Sequence, residues 1–152
     1  SKRDSHFMVT VSEMKGLQGW FLNRLGCFPI DQKKPSLLAL RYAIDLMLAG
    51  EQLVLFPEGK INRERNPVRI EKGLFRLAKL ACRKGADINV LPIGIGYSER
   101  NPKRFGLAAI AFSEPIKVSR TSKFEEVEFS QKLISKMNAA EALALKKVGR
   151  IS

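Results

Sequence analysis

The tetrapeptide Phe56-Pro57-Glu58-Gly59 sets an acid and then a glycine at the end of an apolar run, with basic residues following at Lys60, Arg63, Arg65 and Arg69. A glycine lets backbone come close to a ligand, and the planar fork of arginine grips a phosphate through two parallel hydrogen bonds. Between Lys60 and Lys84 nine basic residues meet only two acidic ones, Glu64 and Glu71. The chemistry this pattern predicts is recognition of a phosphate-bearing ligand. A solvated turn followed by an ordinary basic helix face fits the spacing equally well, because Lys72, Arg76, Lys79 and Arg83 fall on one helical stripe.

Other chemistries are excluded by position. Gly59-Lys60 is not a nucleotide phosphate loop, since Val54 stands where the first glycine belongs and Ile61 where a Ser or Thr must follow. Gly94-Ile95-Gly96 lacks the third glycine of a dinucleotide fingerprint, having Glu99 there, and it follows a strand without opening a helix. Any triad built on histidine must use His6, which stands alone at the start of the chain ahead of a strand and reads as incidental. Cys27 and Cys82 are too few for a disulfide framework, and neither has partners at zinc-ligand spacing, so no metal site is expected.

The whole chain sets the bounds. Its 152 residues correspond to a single domain, 1–152, and 45% hydrophobic with 28% charged residues is the balance of a globular chain. Lys and Arg total 27 against 15 Asp and Glu, a net charge of +12. That excess favours anionic partners: a membrane surface, phosphorylated substrates or nucleic acid. Aromatic residues are only 8% and no RNA or DNA motif is present, so nucleic acid is not expected. No apolar run approaches the ~18 residues of a membrane-spanning helix. The chain opens at Ser1 with no initiator Met and no signal-peptide pattern, which reads as a processed product or a piece of a longer chain.

The elements that must position Glu58 follow from periodicity. Strands are predicted at Phe7–Val11, at Cys27–Asp31 (an edge, because of Pro29), and at Gln52–Phe56, the last as a buried strand. Further strands are predicted at Ile88–Tyr97, Leu107–Phe112 and Ile116–Val118. Helices are predicted over Lys15–Leu25, with Leu17, Trp20, Phe21 and Leu25 in phase, from Pro35 to Gly50, over Gly73–Lys84 and over Phe124–Lys147. The stretch Lys60–Lys72 is predicted as a long loop. Strands alternating with helices argue an α/β layered domain: a mostly parallel or mixed central sheet flanked by helices, with an antiparallel addition and a C-terminal helix. Trp20, Phe21 and Leu22 read as core packing, with an apolar channel lining or bilayer contact as the other use of such residues.

Three blocks in order resemble the glycerophospholipid acyltransferases, the family of 1-acylglycerol-3-phosphate acyltransferase. The third family block, Phe-Pro-Glu-Gly, is intact at Phe56–Gly59. The second, close to Gly-x-x-Phe-Ile-Asp-Arg, is matched by Gly26, Ile30 and Asp31. The fourth, a Val-Pro-Ile-like strand, is found as Leu91-Pro92-Ile93-Gly94-Ile95. The resemblance runs from about Phe7 to Val118. The first family block, Asn-His, then four residues, then Asp, is absent, as an N-terminal truncation would leave it; His6 has Val11 where that Asp would stand. The arginine expected two residues after Gly59 is Ile61, with Arg63 two further on, and Gln32 replaces the arginine of the second block, with Lys33 and Lys34 behind it.

The resemblance implies a layered fold of the glycerolphosphate-acyltransferase kind and transfer of a fatty acyl group from acyl-CoA or acyl carrier protein to a lysophospholipid. The thioester would be a co-substrate, with no cofactor or metal. It implies an acceptor and phosphate pocket of Glu58, Gly59, Lys60 and Arg63, with Gly26, Ile30 and Asp31 near the acceptor and Pro92 and Ile93 as the fourth block. The catalytic His-Asp dyad would lie outside these residues, leaving this chain alone inactive, and attachment would be peripheral, on the cytoplasmic face of an anionic membrane. The alternatives are a non-catalytic module that binds phospholipid or acyl donor and, behind it, a basic nucleic-acid binder.

Overall fold

The computed structural model describes residues 4–31, 34–58, 70, 73–99, 105–121 and 125–150. Seven strands and four helices alternate along them: β1 (Ser5–Thr10), a 3₁₀ turn (Val11–Met14), α1 (Gly16–Arg24), β2 (Cys27–Ile30), α2 (Leu37–Leu48), β3 (Gln52–Leu55), α3 (Gly73–Arg83), β4 (Ile88–Val90), β5 (Ile93–Tyr97), β6 (Ala108–Phe112), β7 (Ile116–Val118) and α4 (Glu126–Lys147). This is the α/β layering that the alternation of patterns predicts. No described helix is long and apolar enough to cross a membrane.

The first half is a three-stranded parallel sheet in the order β2-β1-β3. Phe7 lies opposite Cys27 on one side and Val54 on the other. Pro29 sits on an edge strand, where its missing N–H breaks no inner ladder. The turn from α1 into β2 depends on Gly26. Its φ is +79°, a left-handed value, and a Cβ there would come within 3.0 Å of the Ser5 carbonyl, while its own carbonyl accepts from Phe7 N–H at 3.1 Å. Helix α2 begins where Ser36 caps it, the side chain accepting from Ala39 N–H at 3.1 Å.

Gln52–Phe56 is less buried than its apolar run predicts. Strand β3 ends the parallel order, Leu53, Val54 and Leu55 are half-buried, and Phe56 is 62% exposed. Ile88–Tyr97 is also corrected: it breaks at Leu91-Pro92 into two strands with different partners. Strand β4 pairs antiparallel with β7, and β5 pairs antiparallel with β6. Pro92 donates no ladder bond but accepts from Ser113 N–H at 3.0 Å, so the chain changes sheets at the one residue without a donor. The predicted loop Lys60–Lys72 lies outside the described residues except for Ile70, which packs on the core.

Two apolar clusters hold these parts. One joins Ala43 and Ile44 of α2 to Leu77 and Ala81 of α3, with Met8, Phe28 and Leu53 of the parallel sheet against them. The other joins Ala78 and Cys82 of α3 to Ile116 and Val118 of β7 and Phe129 and Leu133 of α4. Cys27 and Cys82 are both buried free thiols, and burial pushes both above the ordinary thiol range. Helix α4 lies across the β5–β6 hairpin, whose inward positions are small: Gly94 opposite Ala111, and Gly96 opposite Ala109. A Cβ on Gly94 would run into the backbone of Ala140 and Glu141, and one on Gly96 would come within 2.6 Å of the Ala144 carbonyl carbon.

Gly96→Ala should therefore destabilise the fold by ~1–3 kcal/mol, the usual cost of overpacking a tight contact. Ala109→Gly on the paired strand should cost less, as it removes a methyl without forcing the helix away. Thermal unfolding of the two variants checks the order; equal or higher stability for Gly96→Ala would show that α4 has room to move.

Candidate functional site

In a parallel sheet all carboxyl ends point one way, and ligands of open α/β sheets bind beyond them. Strand β2 delivers Asp31 to that end and β3 delivers Phe56, Pro57 and Glu58. The two strands flank β1, so Asp31 and Glu58 leave the sheet two strand spacings apart, roughly 10 Å. Asp31 is exposed, and its Oδ1 accepts from Lys34 N–H at 3.2 Å, which turns the chain toward α2. Ile30 is half-buried opposite Thr10 at the end of the β1–β2 ladder. Gly26 stands at the other end of β2 and shapes the entry to the strand rather than the site.

Glu58 is half-buried. Burial pushes its carboxyl above the ordinary glutamate range, and the charge of Glu141 on α4 adds to the rise. The charge of α4 is thus felt at Glu58, and sequence patterning gave no sign of it, because Glu141 sits among ordinary surface positions of a long helix. It follows from the fourth block, since Gly94 admits the α4 backbone at Ala140 and Glu141. Pro92 is fully buried and Ile93 faces outward at 38% exposure, so neither offers a polar group to a ligand except through backbone. Gly59, Lys60 and Arg63 lie outside the described residues, as do Gln32 and Lys33.

His6 lies within β1 rather than ahead of it, edge-on to the ring of Tyr42 at 6.3 Å. It occupies the amino end of the strand, four residues before Thr10 and hence roughly 13 Å from the carboxyl end. It is on the wrong side of the sheet to serve a ligand held at Asp31 and Glu58. The basic stripe of α3 is partly engaged within the fold: Arg76 pairs with Glu126 at 3.4 Å, and the Lys79 ammonium donates to the Ser119 carbonyl at 3.5 Å. Among the described residues no three His, Cys, Asp or Glu side chains converge as metal ligands.

With β2 and β3 delivering Asp31 and Glu58 to one end of the sheet, residues 2–96 match the family described as Acyltransferase, more than half of the chain. The chain belongs to the Acyltransferase family. A 1-acyl-sn-glycerol-3-phosphate acyltransferase of Streptococcus pneumoniae (strain ATCC BAA-255 / R6) is 32% identical over 76 residues. That stretch is 49% of this chain and 25% of the relative, so the likeness spans a quarter of the relative's length. No solved structure matches. The family match takes in Gly26, Ile30, Asp31, Glu58, Pro92 and Ile93, whereas Glu141 lies beyond it.

The raised Glu58 carboxyl has a measurable consequence for this acyltransferase domain. The folded state holds that proton more tightly than the unfolded chain does. Its stabilising contribution is thus complete below the ordinary glutamate value and is lost as pH rises through the higher folded value. Glu58→Gln should melt higher than the parent at neutral pH, and the gap should close toward acid. Glu141→Gln should recover a smaller part, because burial is the larger cause. Thermal melts across pH check this; a Glu58→Gln variant that melts lower at neutral pH would mean hydrogen-bond donors favour the carboxylate.

Proposed function

We propose that this chain forms the acceptor-binding part of an enzyme that moves a fatty acyl group from a CoA or acyl-carrier-protein thioester to the free hydroxyl of a lysophospholipid of the lysophosphatidate type. The observation that carries the reading is the delivery of Asp31 and Glu58 to the carboxyl end of one parallel sheet in a member of the Acyltransferase family. The Streptococcus pneumoniae relative, a 1-acyl-sn-glycerol-3-phosphate acyltransferase by name, supports the choice of acceptor.

In the proposed reaction a general base takes the acceptor hydroxyl proton and the oxygen attacks the thioester carbonyl. The tetrahedral oxyanion then collapses with loss of the thiolate, which takes up a proton. What these residues supply is position and charge. Lys60 and Arg63 hold the acceptor phosphate, Glu58 and Gly59 shape the pocket beside it, and Asp31 with Lys33 and Lys34 closes the neighbouring side. The base is not among these residues: His6 is at the opposite end of the sheet and has no acid five positions on. The catalytic His-Asp dyad is placed outside the chain, and the protein works at the surface of an anionic membrane where its acceptor resides.

The 152 residues alone should give no acyl transfer above the buffer blank. Turnover that His6→Ala abolishes would overturn the assignment of the base. In the protein carrying its dyad, Arg63→Ala should raise the apparent KM for the lysophospholipid about tenfold or more, as loss of a charge-assisted phosphate contact of ~1.5–3 kcal/mol requires, with less effect on the thioester. Arg63→Lys should recover part of the loss, keeping attraction without the bidentate fork. Unchanged acceptor kinetics in Arg63→Ala, with a loss in Lys60→Ala, would move the phosphate to Lys60.

A further inference from the structure

Helix α1 is packed inside out. Its inward positions are Gly19, buried and pressed against the Met14 carbonyl, and the half-buried Leu22. Its large apolar side chains point to solvent: Leu17 is 86% exposed, Trp20 60% and Phe21 57%. Reading Trp20 and Phe21 as core is therefore wrong for this helix; the helical spacing is real, but the stripe faces away from the protein. Large apolar residues gathered on one exposed helix face mark an interaction surface.

The topology says where this stripe sits. Chain leaving the carboxyl end of β1 enters α1 at Leu17, and chain leaving β2 enters α2 at Leu37 and Leu38, 74% and 77% exposed. Phe56, leaving β3, is exposed as well. All three strand exits thus ring the end of the sheet that presents Asp31 and Glu58. Exposed cations accompany the stripe, Lys15 ahead of α1, Arg24 in its last turn, and Lys34 and Arg41 around the start of α2, against the exposed Asp31 and the half-buried Glu58. Arg24 lies over the Trp20 ring at 5.0 Å, so a cation and an indole share one spot, the pairing suited to the headgroup level of a bilayer. Helix α1 contains no acid.

We propose that α1 and the first turn of α2 form the surface that enters an anionic lipid bilayer, with Leu17, Trp20, Phe21, Leu37 and Leu38 in the interface and the four cations on the headgroups. The assignment deepens the function proposed above and rests on its placing the acceptor at the carboxyl end: a lipid bound there would reach Glu58 without leaving the membrane. The occupant is a bilayer rather than a protein because a rim of cations around apolar residues answers the composition of an anionic membrane surface.

Trp20 is the single tryptophan of these residues, which makes its emission a reporter of this helix alone. With vesicles of mixed phosphatidylcholine and phosphatidylglycerol, Trp20 emission should shift to the blue, and brominated acyl chains should quench it. Neutral phosphatidylcholine vesicles or high salt should weaken both effects. Trp20→Ala with Phe21→Ala should lower vesicle co-sedimentation about tenfold or more, with unchanged circular dichroism. Binding without a Trp20 response would overturn the assignment and point to the other open apolar face, Ile93, Ile95, Ile110 and Phe112, on the β5–β6 hairpin. Emission already blue and unmoved by vesicles would mean that another protein surface covers α1, also overturning it. Absence of any binding would remove the membrane surface from both proposals, while acyl transfer to a short-chain soluble acceptor would still test the chemistry by itself.

Discussion

Helix α3 has to satisfy two cores at once. Leu77 and Ala81 face α2 and the parallel sheet, and Ala78 and Cys82, each one residue on, face the antiparallel pair and α4. A helix can do this only where small side chains let neighbours approach on adjacent stripes, and alanine and cysteine supply them. The described ladders do not cross from β3 to the later strands, so apolar packing through α3 joins the two halves rather than a continuous ladder. Ile88, packed against both clusters, completes the link. Everything said of the site depends on this joint, because Asp31 and Phe56–Glu58 belong to one half and Gly94 and Glu141 to the other.

Much of the architecture was legible in the residues. Pro29 announced an edge, because it restricts its own backbone, and the apolar phase from Pro35 to Gly50 announced a helix, which Ser36 caps. What was not legible has a common cause: periodicity reports that a stripe is apolar, not what the stripe touches. Leu17, Trp20, Phe21 and Leu25 recur at helical spacing as a core stripe would, yet the inward residues of that helix are Gly19 and Leu22. The run Gln52–Phe56 reads as a buried strand for the same reason and is only half-covered. The break at Leu91-Pro92 was hidden because five apolar residues around it satisfy either one long strand or two short ones.

The candidate site divides along the same line. Glu58 and Asp31 were found because they stand in blocks with their own spacing. Glu141 could not be found, since the acid acts from 83 positions away in sequence, through a charge that only the packed helix brings to bear. Its influence on Glu58 is electrostatic and secondary; desolvation comes first, and that too is a property of what surrounds the carboxyl rather than of the tetrapeptide.

The two glycines of β5 tie these observations together. Gly94-Ile95-Gly96 looks like a nucleotide fingerprint when read as a string, and it fails that reading at Glu99. In the fold the glycines face inward at alternate positions, and their missing side chains let the α4 backbone sit on the strand at Ala140 and Ala144. The same alternation turns Ile93 and Ile95 outward. Close approach sets the height of α4, the helix that carries Glu141, above the strand. Gly94 within the fourth block and Gly96 just after it thus have a physical role as a packing surface: they carry no side chain toward a ligand, but they let the helix that bears Glu141 lie directly on the strand.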